Sequence, residues 1–370
     1  MSSTHITQAR RVVILGGYGS FGRLISEALI SEPNAQIVVA GRNREKGMTF
    51  ANSISVQFIQ CDVDDVNSLR QVVADAYLVI NTTGPFQQAN YAVPRIALES
   101  NCHYIDLGDG RAYVTHVGEL DKLAQIKKRF VCVGASTSPA ITTALIAELQ
   151  SHFSHINTIK IALSAGNKNK PGASTVKSIL SYIGTPIKVW KDGRWQEAFG
   201  WGESEVLSFP LPVGRRRVQL CDVSELTLVP AMVKVDSVLF KAGLELDLFN
   251  YGLTSLAWLH KVWQGFSPPL FTTGLMCFSQ LFKSMGTFAG GVAVWVNGFE
   301  NESKIEKSAA IIAPKHGPQV AATPIILLAR KILMGDVSKW GAFPCIGFLP
   351  LKEIADYLEP FGIFVKYNDV

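Results

Sequence analysis

The stretch Gly16-Gly17-Tyr18-Gly19-Ser20-Phe21-Gly22 constrains the fold more than any other part of this chain. It lies between an apolar, strand-like run, Val12-Val13-Ile14-Leu15, and a helix-like segment from Phe21 to Ser31. At such a junction Gly16 permits a tight turn, Gly19 lets the backbone approach a pyrophosphate, and Gly22 lets helix and strand pack closely. The helix amides and dipole then point at the phosphates. The spacing is Gly-x-x-Gly-x-x-Gly, one residue longer between the first two glycines than in the commoner dinucleotide fingerprint.

Apolar runs and helical segments alternate from there to about Ala135. Strands are expected at Ile37 to Ala40, Val56 to Ile59, Tyr77 to Ile80, His103 to Ile105 and Phe130 to Val133. Helices are expected near Val66 to Val73, Tyr91 to Ser100 and Val117 to Lys127. Strands apolar on both faces, each followed by a helix, predict a doubly wound parallel α/β sheet of the Rossmann type over residues 1–135. The texture then changes. A helix to about His152, a strand from Thr158 to Ser164, a helix from Ala173 to Ile183, a hairpin turning at Asp192-Gly193, a strand from Val235 to Leu246 and a helix from Leu253 to Gln264 predict a second, α+β domain over 136–344. A final helix near Lys352 to Glu359, within 345–370, is expected to pack back onto the first domain.

With 370 residues, 48% of them hydrophobic and 18% charged, the chain has material for two cores. A net charge of +5 spread along the chain, with Arg215-Arg216-Arg217 read as a solvated strand or turn, gives no nucleic-acid interface. Six dispersed cysteines form no Cys-x-x-Cys pair, so no metal is expected, and buried reduced thiols fit a cytoplasmic protein. The polar Met1 to Arg11 runs straight into a strand, so no signal peptide is read there. The apolar stretch Leu270 to Val296 contains Gln280 and Lys283 among many small residues. A core helix followed by a buried strand is expected there rather than a transmembrane span, and peripheral membrane contact stays open.

The second strand carries the cofactor choice. An NAD site places a carboxylate there to hold the ribose hydroxyls, whereas here Ala40 is followed by Gly41-Arg42-Asn43-Arg44. A guanidinium at Arg42 suits a 2′-phosphate, which favours NADP(H) over NAD(H). Asp62 and Val63, after the third strand, could reach the adenine, although Asp62, Asp64 or Asp65 could equally serve a turn or a helix cap. Asn81-Thr82-Thr83-Gly84-Pro85-Phe86 is expected beside the ribose and nicotinamide.

Taken together, Gly-Gly-Tyr-Gly-x-Phe-Gly, Ala-Gly-Arg, Asn-x-x-Gly-Pro-Phe, His103-Tyr104-Ile105-Asp106 and the Gly134 to Pro139 loop resemble the saccharopine dehydrogenase-like oxidoreductases, most clearly over residues 11 to about 150. Further on, Ala242-Gly243 and Gly335 to Pro344 resemble that family's second domain. The resemblance implies cofactor contacts from Gly16, Gly19, Ser20, Phe21, Gly22, Arg42, Asp62, Val63, Thr82, Thr83, Gly84 and Pro85. It also implies hydride transfer to or from an imine, amine or carbonyl substrate between two domains of a homodimer. Ser138-Pro139-Ala140 stands where better-characterised members have Asp-Pro-Gly, so the likeness does not name the substrate.

A substrate with several carboxylates would need converging arginines, and Arg95, Arg111 and Arg194 are the candidates. Tyr91, His103, Asp106 and Asp109 are the candidate proton donors, with a strand-edge role for His103 and a surface role for Tyr91 as the plainer alternatives. Two other readings remain from sequence. One is an NADP-binding sensor or scaffold without turnover, and the other a nicotinamide-using synthase that forms carbon–nitrogen bonds.

Overall fold

The computed structural model describes residues 9–169, 172–263, 271–282 and 284–369. Residues 1–8 and the expected positions Gln264, Leu270 and Lys283 lie outside them. The chain begins with β1 (Arg10–Leu15), α1 (Ser20–Leu29), β2 (Ala35–Gly41), α2 (Arg44–Ser53), β3 (Gln57–Gln60), α3 (Val66–Val73) and β4 (Leu78–Asn81). It continues with α4 (Ala92–Glu99), β5 (His103–Asp106), α5 (Arg111–Thr115), α6 (Asp121–Lys127), β6 (Phe130–Val133) and α7 (Thr142–Gln150). A second set of elements follows: β7 (His155–Ala165), α8 (Ala173–Tyr182), β8 (Pro186–Lys191), β9 (Arg194–Phe199), β10 (Glu205–Ser208), β11 (Arg215–Leu220), α9 (Glu225–Met232) and β12 (Val235–Leu244). The chain ends with α10 (Asp247–Val262), α11 (Thr272–Leu281), β13 (Gly290–Glu300), β14 (Ser303–Ala313), α12 (Gly317–Met334), β15 (Gly341–Pro344), α13 (Leu351–Leu358) and β16 (Phe364–Asp369).

The first sheet is parallel, in the order β15-β6-β5-β4-β1-β2-β3. Its order reverses between β1 and β4, so the crevice at their carboxyl ends is where a doubly wound sheet takes ligands. Val12, Ile14, Val13 and Leu15 are all fully buried because helices cover both faces. The second sheet is mixed, in the order β10-β11-β12-β7-β13-β14-β16, with the β8–β9 hairpin pairing onto β12. Asp192 and Gly193 turn that hairpin with φ of +53° and +71°, the positive pair that a two-residue turn of this twist requires.

Three expectations change. The stretch 317–344, expected in the second domain, returns to the first sheet. There β15 pairs with β6, while α12 packs beside α1, with Ala322, Ile325, Leu328 and Ala329 fully buried on the sheet. Arg10 ties this return in place by donating to the Leu333 carbonyl at 2.6 Å. Within 345–370, the helix expected on the first domain, α13, packs against α12 with Leu351, Ile354 and Leu358 in the core under the second sheet, and β16 pairs with β14 of that sheet. The apolar segment from 272 on gives a buried strand, β13, but its helix α11 lies on the surface with only Thr272 buried. No helix among the described residues is long and apolar enough to cross a membrane.

The arginine triplet lies in β11, where Arg216 and Arg217 form ion pairs with Glu245 and Asp247, each at 3.4 Å. No cysteine is in a disulfide, and only Cys277 is exposed.

Candidate cofactor site at the carboxyl edge of the first sheet

Gly16 leaves β1 with φ +74°, and its amide donates to the Ala40 carbonyl at 2.8 Å. The loop closes when the Gly19 amide donates to the Gly16 carbonyl at 2.8 Å. A Cβ on Gly22 would stand 2.2 Å from that same carbonyl oxygen, so only glycine lets α1 start this close to the turn. Gly19 is the N-cap and supplies no side chain. The first-turn amides at Ser20, Phe21 and Gly22 therefore remain as donors at the positive end of α1.

Two further segments meet this loop. A Cβ on Gly16 would lie 2.7 Å from Thr82 Oγ1, and that hydroxyl donates to the Leu15 carbonyl at 2.8 Å, so the segment after β4 abuts the glycine loop. Thr83 is held by Asn81, whose Oδ1 accepts from the Thr83 amide at 3.0 Å. From the second sheet's side, Ser174 at the start of α8 donates to the Gly84 carbonyl at 3.1 Å. A Cβ on Gly172, the N-cap of α8, would lie 3.6 Å from Ser20 Oγ. Gly16, Gly19, Ser20, Gly22, Thr82, Thr83 and Gly84 are thus brought together, with Phe21 opening the helix and Pro85 continuing the loop.

Arg42 follows β2 at the same edge. Its side chain is exposed, with no hydrogen bond or ion pair among the described residues, and its carbonyl accepts from Gln60 Nε2 at 3.1 Å. The turn that presents it is fixed from the glycine loop by Tyr18, which the sequence reading did not single out. Tyr18 Oη accepts from the Asn43 amide at 2.8 Å, and a Cβ on Gly41 would meet its ring at 2.6 Å. Asn43 in turn caps α2 by accepting from the Lys46 amide at 2.9 Å. The available signal was a tyrosine between the loop glycines and a second strand ending in glycine.

After β3, Asp62 Oδ1 accepts from the Asp64 amide at 3.2 Å, and Asp65 caps α3 by accepting from the Asn67 amide at 3.0 Å. The turn and cap roles are therefore occupied at Asp62 and Asp65, while Val63 packs against the core beneath.

The four proton-donor candidates separate. Strand register aligns Leu15, Asn81 and Asp106 at the carboxyl edge and Val12, Leu78 and His103 at the amino edge. His103 is therefore three residues, roughly 10 Å, from the ligand crevice. It is buried between Tyr77 and Trp340, its Nδ1 accepts from the Phe130 amide at 3.1 Å, and burial holds its pKa down at about 4. Tyr91 is tied by its hydroxyl to the Tyr113 carbonyl, and burial raises its pKa.

Asp106 is fully buried. Its Oδ2 accepts from Tyr113 at 2.6 Å and Tyr104 at 2.9 Å, and its Oδ1 accepts from the amides of Gly108 at 2.8 Å and Gly134 at 3.0 Å. Burial raises its pKa to about 6 against the lowering effect of these bonds. Asp106 thus acts as a clasp between the loops after β5 and β6. Asp109 lies in the crevice wall, where its Oδ2 accepts from Ser178 of α8 at 2.7 Å; burial raises its pKa, and Gln87 donates to the same Ser178 hydroxyl.

The arginines do not converge. Arg95 is exposed on α4 and Arg194 beside the hairpin turn, whereas Arg111 bridges the two sheets. It donates to Asp222 at 2.9 Å, Thr227 at 2.8 Å and the Lys188 carbonyl at 2.7 Å. Arg111→Ala is expected to cost about 1–3 kcal/mol, read as a lower midpoint in urea, with no change in fold by circular dichroism. The Ser138-Pro139-Ala140 departure also has a structural use. Ser138 and Thr142 each donate at 2.6 Å to Glu225, a fully buried carboxylate at the start of α9 whose pKa burial raises. Nothing in the sequence pattern singled out Glu225. No group of three metal-ligating side chains occurs among the described residues.

Residues 12–135 match the family model described as the saccharopine dehydrogenase NADP binding domain. Among solved structures, apo saccharopine dehydrogenase (L-Glu forming) from Saccharomyces cerevisiae matches with a TM-score of 0.72. The match covers 98% of this chain and 100% of that one, at 12% identity. The RhlG/NADP complex from Pseudomonas aeruginosa matches over 34% of this chain and 70% of its own, with a TM-score of 0.30 and 16% identity. No curated protein matches the sequence.

Proposed function

From the premise that the chain is saccharopine dehydrogenase-like in its nucleotide-binding domain and its fold, we propose that it is an NADP(H)-dependent oxidoreductase. Its substrate is an imine, amine or carbonyl compound lodged between the two sheets. The observation that carries the cofactor reading is Arg42. It stands uncommitted at the end of β2, beside a glycine loop whose helix amides are open, where an NAD site would place a carboxylate.

The cofactor, when bound, supplies the hydride. The chain's own part is to hold the pyrophosphate on the α1 amides and the 2′-phosphate on Arg42. The Thr82 to Pro85 segment borders the nicotinamide end, and α8 excludes water over it. Asp109, at the seam between α8 and the loop after β5, is the acid best placed to hold a proton for the substrate.

Titration with NADPH and NADH by fluorescence tests this reading. Arg42→Ala is expected to weaken NADPH binding roughly 10- to 100-fold, the loss of one or two charge-assisted contacts, and to leave NADH binding unchanged. Equal losses for both nucleotides would overturn the NADP preference. Tight NADPH binding without its oxidation across a panel of imino and keto acids would instead favour a protein that senses the nucleotide.

A further inference from the structure

We propose that the outer face of α10 and α11 docks onto the surface of an anionic lipid bilayer. α10 is apolar on both of its sides, where a surface helix is ordinarily apolar only toward the core. The side turned to the protein carries Asn250, Leu253 and Ala257, which are buried, and Ala257 is small because its backbone passes against Gly184, where a Cβ would stand 2.3 Å from the Ala257 carbonyl oxygen. Leu256 also packs toward the core, but a second apolar stripe at helical spacing faces water: Tyr251, Trp258 and Val262, the last two 66% and 64% exposed, with Trp263 (62%) just beyond. A helix stabilised by a soluble core turns its large apolar residues inward. On α11, Phe278 and Leu281 are also exposed, Leu281 by 74%, and the whole segment from Thr272 to Leu281 carries no charged residue. The two helices meet where the Phe249 ring packs edge-on against Phe278 and Phe282, and large apolar exposure on such neighbouring helices marks an interaction surface.

The chemistry of the face selects a membrane. Trp258, Trp263 and Tyr251 each pair an apolar ring with a polar tip, which suits the boundary between headgroups and acyl chains. The rim is positive. Lys261 lies with its Nζ 3.8 Å from the Phe199 ring centre and Lys168 stands 5.9 Å from the Phe288 ring, while Arg217, stacked over Tyr251 at 4.9 Å, is taken up by an ion pair. The acid in α10, Asp247, is neutralised by its ion pair with Arg217. Cations around an aromatic, uncharged centre complement anionic headgroups over acyl chains. Because α11 packs against α8, whose N-terminus borders the glycine loop, docking would set the mouth of the cofactor crevice near the lipid surface.

Flotation of the full chain with vesicles of phosphatidylcholine, alone or with phosphatidylserine added, tests the proposal. The expected result is co-flotation with the phosphatidylserine vesicles, a blue shift of tryptophan emission, and release by high salt. The double variant Trp258→Ser/Leu281→Ser, at two exposed positions, is expected to bind at least about tenfold more weakly with unchanged circular dichroism and melting. Lys261→Glu should weaken binding to the anionic vesicles alone. Failure of the wild type to float, or flotation of the double variant like wild type, overturns the proposal. A wild-type dimer that the same substitutions convert to monomer, without vesicle binding, assigns the face to a second copy of the chain and overturns it equally.

Discussion

Gly22→Ala is expected to reduce NADPH affinity by more than about 100-fold, the loss of two or more charge-assisted contacts to the pyrophosphate, and NADH affinity to the same degree. The added methyl would stand 2.2 Å from the Gly16 carbonyl oxygen and 2.7 Å from the Gly17 Cα. Both are backbone atoms, so no side-chain rotation relieves the contact. Either α1 moves away from the turn or the turn opens, and in both cases the amides of Ser20 to Gly22 leave the position where they converge on one anion. Equal loss for both nucleotides separates this effect from that of Arg42→Ala. Gly118→Ala is the matched control, because a Cβ there meets nothing within 4 Å. Unchanged circular dichroism together with unchanged binding in Gly22→Ala would show that the loop gives way at no cost and would overturn the geometric argument.

Asp106→Ala is expected to lower the unfolding free energy by about 3–5 kcal/mol, since it leaves two amides and two tyrosine hydroxyls buried without their acceptor. Asp106→Asn keeps the shape and removes the titration, which exposes a balance in the wild type. The native pKa of Asp106, about 6, is raised above its unfolded value, so its contribution is fully present below the unfolded pKa and is lost as pH rises through 6. The His103 pKa, lowered to about 4, works the other way; its contribution is present above pH 6.5 and is lost as pH falls toward 4. The two slopes oppose each other over nearly the same window. Chemical denaturation of Asp106→Asn between pH 6.5 and 4.5 is therefore expected to show a steeper loss of stability on acidification than wild type. Parallel pH profiles would refute the coupling.

The parts legible in the sequence share one property: the local pattern carried the tertiary information. The four-residue apolar runs at β1, β4 and β6 could only be strands covered on both faces, and the glycine loop declared its own junction. The proposal for Arg42 rests on a local signal of the same kind, a missing carboxylate and a guanidinium that coincide at one position.

α12 was not legible for the opposite reason. It is buried on several sides, from Ala322 and Ile325 to Leu333, so its apolar residues show no stripe, and Pro324 sits inside it. α2, polar and exposed on most positions, showed no stripe either. β15 is four residues of small and ring side chains, and nothing local says that Gly341 to Pro344 pairs with Phe130 to Val133 some 200 positions earlier. The separation of the proton-donor candidates needed register. His103 and Asp106 are neighbours in sequence, and only the pairing of β5 with β4 places them at opposite edges of the sheet.

The return of α12 and β15 to the first sheet also bears on the order of assembly. Until residue 344 has been synthesised, the emerging nucleotide-binding domain has an open strand edge at β6 and a bare apolar face where Ala322 to Leu333 will lie. An open edge beside uncovered apolar surface pairs readily with other chains. The second sheet is therefore threaded as an insertion through a domain that closes last. A fragment ending at residue 135 would retain the glycine loop and Arg42, the features on which the nucleotide reading rests, yet leave bare the side of α1 that α12 covers.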